Sequence, residues 1–407
     1  MTPGIPRRFA SVDAFRALTM FLMIFVNDLG TLRDIPGWLE HAAKTEDRMG
    51  LADVVFPAFL FIVGLSIPFA IGNRAAKGYS RRSTFIHILT RSLALLIIGI
   101  FHVNLENYDS AAAVLSKPVW EIGITLAFFL IWLDYSPQMA KRKKMILQGS
   151  GIGLLVILAL LYKGDPDGMT GPSSPVNYIW LTPQWYGILG LIGWCYLLCA
   201  IVYFLAKDRL AILVGAFVFF LGINIASRFG WLHFLDPIRE YVWFVSGGAL
   251  PSITMAGVVA TVIYRQWGSA GKRGQGMLLL SVIALAALAG GFAVRPIWAI
   301  SKIRASPSWV LICTGISLFC FVLLIYLMDI KGKESSIKWL KPAGTSTLTC
   351  YLLPYFHYSI LVLLGKGVLL PLVLRTGGVG IVKSLLYAFV IILITGLLEK
   401  RRLRLSI

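Results

Sequence analysis

The residues best able to do chemistry lie in the first 53 positions: Asp13, Arg16, Asn27, His41 and Asp53. Asp13 and Arg16 stand three apart, so on a helix they are neighbours and can pair. Ser11 just before them reads as a helix cap, and Asp13 and Asp53 each fall near a helix start, where the dipole favours a carboxylate. Asn27 lies eleven residues beyond Arg16, about 16 Å along a helix. There it caps the helix end or donates a hydrogen bond to something bound. His41 sits in the polar stretch between the first two apolar runs. Beside Asn27 and Asp53, His41 reads either as a proton-transfer group at neutral pH or as hydrogen-bonded packing. Asn104, near the far end of the third apolar run, is expected at a depth close to that of Asn27 and is counted with Asp13, Arg16 and Asp53 as supporting. The remaining histidines, His87, His102, His233 and His357, read as hydrogen-bonded packing.

These residues need positioning elements, and the composition says what they are. Of 407 residues, 57% are hydrophobic and only 14% charged, with mean hydropathy +0.78. Soluble domains carry about 25% charged residues. A soluble enzyme, a disordered chain and a DNA-binding protein are excluded, and no nucleic-acid partner is expected. The fold class expected is an all-α polytopic membrane protein of about twelve spans, with eleven the alternative. The candidate spans are 13–29, 51–71, 85–105, 119–135, 146–162, 186–205, 210–227, 244–264, 277–294, 309–329, 343–365 and 378–398. Residues 1–407 read as one transmembrane domain, with the chemistry carried by 13–105. The first span reads as retained rather than cleaved as a signal peptide. Five cysteines, Cys195, Cys199, Cys313, Cys320 and Cys350, all lie in apolar runs, and no metal-ligand spacing is present.

The net charge of +19 is an orientation signal. With the amino terminus inside, inner segments hold 23 of the 38 Lys and Arg and outer segments 12, the remaining three lying within spans. Both termini are therefore expected in the cytoplasm, in a plasma membrane of the bacterial inner-membrane type. One inner cluster, Arg74, Lys77, Arg81 and Arg82, follows the second span. By charge alone it reads as a topology signal. The expected extracytoplasmic loops, 163–185 and 228–243, and the stretch 295–309 carry Trp231, Trp243, Trp298 and Trp309. Such tryptophans serve as an interfacial belt or as a sugar-stacking surface.

Residues 11–64 resemble the heparan-alpha-glucosaminide N-acetyltransferase family. The resemblance rests on Ser11-Val12-Asp13-Ala14-Phe15-Arg16-Ala17, Met23-Ile24-Phe25-Val26-Asn27, His41-Ala42, and Ala52-Asp53-Val54-Val55-Phe56-Pro57 with Phe61-Ile62-Val63-Gly64. A later patch around Pro251-Ser252-Ile253 is also similar. The resemblance implies transfer of acetyl from cytosolic acetyl-CoA to an amino sugar or glycan across the membrane. It places the active-site histidine on His41 and a site asparagine on Asn27, which implies that a neutral imidazole takes the acceptor's proton while the Asn27 amide donates to the oxyanion, or that His41 carries the acetyl group covalently. Arg74, Lys77, Arg81 and Arg82 are then the candidates for holding CoA. The sequence departs from the family pattern at Lys44-Thr45-Glu46-Asp47 and at Trp120-Glu121. A homodimer is a further expectation. Two other readings fit the same pattern: a twelve-span transporter or flippase of a sugar-type substrate, and an O-acyltransferase with a longer acyl donor.

Overall fold

In the computed structural model, residues 9–165, 179–185, 187–239, 247–365 and 371–407 are described. Parts of the two expected extracytoplasmic loops, with Trp243, lie outside them. The helices are α1 (Ala10–Leu29), α2 (Leu51–Ala76), α3 (Arg81–Val103), α4 (Lys117–Trp132), α5 (Lys141–Leu160), α6 (Ile188–Ala206) and α7 (Leu210–Arg228). After a short α8 (Asp236–Arg239) come α9 (Ala249–Ser269), α10 (Arg273–Ala293), α11 (Pro307–Leu324), α12 (Lys341–Thr345), α13 (Thr347–Leu363) and α14 (Gly377–Lys400). Among the described residues β-pairing is limited to isolated bridges, such as Arg33 with Thr376. The all-α expectation is met, and each expected span coincides with a long helix. Nine of the described helices are long and apolar enough to cross a membrane, and the chain is a multi-pass membrane protein. The other three runs form α4, α9 and α13.

Local chemistry explains several boundaries. Ser80 caps α3 by accepting from the Ser83 N–H at 3.1 Å, and Ser306 does the same for Trp309 at the start of α11, with Pro307 following. Ser11 does not cap α1 as expected. The helix begins at Ala10, and Ser11 lies buried inside it, where its hydroxyl donates to Asp329 Oδ2 at 2.6 Å and its N–H to Oδ1 at 3.1 Å. A sequence-local cap was outcompeted by a carboxylate 318 residues away.

The core is built on α2 and α9. A Cβ on Gly64 would come within 1.8 Å of the Thr254 carbonyl oxygen, and one on Gly257 within 2.0 Å of the Phe61 carbonyl oxygen. The two backbones therefore touch, as small residues allow between membrane helices. Outward, α5, α7 and α10 expose Leu160, Phe219 and Leu285 and bury few side chains. Such faces suit lipid.

Both ends of α1 are fixed. At the start stands the Ser11–Asp329 pair. At the end, buried Asp28 accepts from Lys383 Nζ at 2.6 Å and from the Ser384 and Tyr358 hydroxyls, joining α1 to α13 and α14.

Candidate active site

Asp53 organises the site. It stands at the third position of α2, and its Oδ2 accepts from the N–H of Gly50 at 3.1 Å and of Ala42 at 2.9 Å. Gly50 is required by space, because a Cβ there would lie 1.9 Å from the Glu40 carbonyl oxygen. The other oxygen, Oδ1, lies 2.7 Å from His41 Nδ1. Asp53 is 1% exposed whereas the His41 side chain is 54% exposed. An ionised carboxylate only accepts hydrogen bonds, so Nδ1 carries the hydrogen and Nε2 keeps its lone pair. His41 is thus the open member of the pair and Asp53 the closed one. The Trp309 indole donates to the Asp53 carbonyl at 3.1 Å and is buried. Trp309 is thus a brace beneath the site, not a belt or sugar-stacking residue.

A second loop, absent from the sequence-based candidates, closes over this pair. Arg295 Nε donates to Asp47 Oδ2 at 2.9 Å, and the Ile300 N–H to Asp47 Oδ1 at 2.7 Å. The Ile300 N–H holds the Asp47 carboxyl below its usual range, with burial opposing it and Arg295 adding to the lowering. This joint brings Lys302 to the site. Its Nζ lies 3.2 Å from His41 Nδ1 and 3.9 Å from Asp53 Oδ1. Burial pushes the Lys302 ammonium below its ordinary value, and Asp53 pulls it partly back.

The other expected residues are more dispersed. Asn27 is exposed near the end of α1 and makes no hydrogen bond to His41 or Asp53 among the described residues. Asn104 caps α3 in full burial, donating to the carbonyls of Ile100 at 2.8 Å and Thr182 at 2.9 Å, and so ties down a different loop. Asp13 and Arg16 pair at 3.5 Å as expected, and Arg16 also donates to Ser66 Oγ at 2.5 Å.

Arg16 and Asp13 face a cavity of about 410 Å³ between α1, α2, α3, α6 and α13, which Ser66, Asn73, Arg91 and Tyr196 also line. Its apolar wall reaches Met23 and Phe59. Met23 precedes Asn27 by about 6 Å of helix rise and Phe59 follows Asp53 by about 9 Å. The cavity therefore ends within two turns of both. Arg74, Lys77, Arg81 and Arg82 lie outside its lining. Arg74 is spent on Ser83 and on the Tyr79 ring, and Arg81 on the Phe204 ring. Arg91, a basic residue inside the expected third span and not among the sequence-based candidates, is the cavity's second guanidinium and lies over Tyr196 at 5.0 Å. Its only signal was a charge inside an apolar run.

The family model described as "Domain of unknown function (DUF5009)" matches residues 8–230. Heparan-alpha-glucosaminide N-acetyltransferase of Homo sapiens is 37% identical over 105 residues, which is 26% of this chain and 15% of that protein. The Mus musculus protein of the same name is 30% identical over 190 residues, 45% of this chain and 24% of its own length. The matched part is thus under a quarter of either relative.

Proposed function

The chain belongs to the family described as a domain of unknown function, DUF5009, and from that premise we propose that it is a membrane-embedded acetyltransferase. In this reading acetyl-CoA enters from the cytoplasm, where both termini lie, and the acetyl group passes to an amino sugar or glycan on the opposite side. The observation that carries it is the His41–Asp53 pair, with Nδ1 held at 2.7 Å and Nε2 free in an open position. The names of the human and mouse relatives support the same chemistry.

The 410 Å³ cavity receives the pantetheine arm, with Arg16 and Arg91 drawing the phosphates toward its polar end. This replaces the Arg74 to Arg82 cluster as the assignment for CoA. The thioester then lies near Asn27, whose amide hydrogen-bonds the bound substrate. The acceptor's nitrogen or oxygen attacks the thioester carbonyl while His41 Nε2 takes its proton. The carbonyl π pair moves to oxygen, then returns as the C–S bond breaks. The CoA thiolate takes the proton from the imidazolium, leaving acetylated acceptor and free CoA. A preliminary acetyl-histidine gives the same products in two steps.

The test uses protein in nanodiscs, labelled acetyl-CoA and glucosamine-bearing acceptors. His41→Ala is expected to abolish labelling with its fold retained. Equal labelling by wild type and His41→Ala overturns the role of His41, and no labelling by wild type overturns the acetyltransferase reading. Acceptor uptake into proteoliposomes without acetyl-CoA would instead support a transporter.

A further inference from the structure

Resting on the acetyltransferase reading, we infer that Lys302 is the group that receives the developing oxyanion. Asp53 is buried and ionised, and its Oδ1 is committed to the Nδ1–H of His41. A nitrogen that is donating cannot also accept. The 3.2 Å approach of Lys302 Nζ to Nδ1 is then a contact held by charge, not a hydrogen bond. At 3.9 Å from Asp53 Oδ1 the ammonium is at ion-pair range, too long for a good hydrogen bond. Lys302 therefore has a fixed place beside the imidazole but no committed acceptor there for its three N–H groups. Its side chain is 27% exposed, so a ligand atom can reach it.

The geometry of the reaction fits this placement. The acceptor atom sits against Nε2, and the carbonyl oxygen, two bonds further on, then turns back along the ring toward Lys302 on the Nδ1 side. As the acceptor's lone pair forms the new bond to carbon, the C=O π pair becomes an oxyanion, and a Lys302 N–H donates to it. When the carbonyl re-forms and the C–S bond breaks, the hydrogen bond weakens and Lys302 is unchanged. A donor in place before charge develops acts at the transition state rather than in binding. Asn27 is left free to hold the substrate.

The competing role is that of a plain counter-ion for Asp53, and the experiment separates the two. Lys302→Met, Lys302→Gln, Lys302→Arg and His41→Ala are prepared in nanodiscs, with melting temperatures checked. Turnover is followed with acetyl-CoA and glucosamine. The carbonyl stretch of bound ¹³C-acetyl-CoA is read by infrared difference spectroscopy. For Lys302→Met we expect kcat about 100- to 1,000-fold lower, as for loss of one oxyanion donor, with the KM for acetyl-CoA nearly unchanged. Lys302→Arg should recover most of this, and the stretch should be lower in wild type than in Lys302→Met. If Lys302→Met does not fold, Lys302→Gln supplies the comparison, because its shorter, uncharged amide polarises the carbonyl less than the ammonium. An identical stretch in wild type and in the folded Met or Gln variant overturns the inference, whatever His41→Ala does. Retained turnover in His41→Ala overturns the role of His41 instead, and absence of turnover in wild type overturns the acetyltransferase reading. Failure of wild type to bind acetyl-CoA overturns both.

Discussion

Arg295 and Asp47, 248 residues apart in sequence, are joined by an Nε to Oδ2 hydrogen bond of 2.9 Å and by a second bond from the same guanidinium to the Asp47 carbonyl. Through this joint the loop bearing Lys302 is latched to the loop bearing His41. Asp47→Asn should keep the fold and loosen the latch. Hydrogen exchange at Ile300, whose N–H also goes to Asp47, should rise, and turnover should fall about tenfold through misplacement of Lys302. Unchanged exchange at Ile300 would show that the latch is closed by other contacts.

The same joint has a pH dependence of known sign. Asp47 has a lowered pKa in the fold, so its contribution is complete above the unfolded value, about 3.9. It is lost only as pH falls through the lower, folded value. Exchange at Ile300 in the wild type should therefore be flat from pH 8 to pH 5, once corrected for intrinsic rates, and rise only in stronger acid. An increase centred near pH 6 would point to a histidine instead.

Asp53 holds two backbone N–H groups as well as His41. Asp53→Asn preserves shape but can offer only one acceptor oxygen. It should lower turnover by about 100- to 10,000-fold by releasing the imidazole from its tautomer. Asp53→Ala should also destabilise the fold, by about 1–3 kcal/mol for each N–H left buried and unpaired. Thermal melting of the two variants in one detergent separates the effects.

For the buried pair at the end of α1, Lys383→Met leaves Asp28 as an uncompensated charge, at a cost of about 3–5 kcal/mol. The double variant with Asp28→Asn should recover much of that loss. Additive losses in this cycle would mean that the two residues are not coupled.

Arg91 tests the cavity assignment. Arg91→Met should raise the KM for acetyl-CoA about tenfold, a loss of about 1.4 kcal/mol, and leave kcat nearly unchanged. Arg81→Met, outside the cavity lining, should change neither. The reverse pattern would return the CoA site to the α2–α3 turn.

Much of this architecture was legible from hydropathy, because an apolar run of span length has few alternatives to a helix. Every expected span holds a long helix, within a few residues at each end. The Asp13–Arg16 pair was legible for the same reason, being local. His41 and Asp53 stand twelve residues apart, and Gly50 allows the chain to double back between them. What sequence could not supply were the partners brought by the fold. Lys302 reaches His41 across 261 residues, and counting loop charges gives it no distinction from Arg304. Ser11 looked like a cap because Asp329 is invisible at its position. Trp309 looked interfacial because a tryptophan at a span end carries no mark of the carbonyl it serves.

The fastening of α1 at both ends has a mechanical consequence. Asp329 grips its first turn and the Asp28 cluster its last, so α1 behaves as a strut rather than a piston. Sliding or rotating it would break two buried polar joints at once. The α1 wall of the cavity is therefore a fixed one, held by joints at its first and last turns. Asn27, one residue before the Asp28 joint, keeps a constant height along this strut.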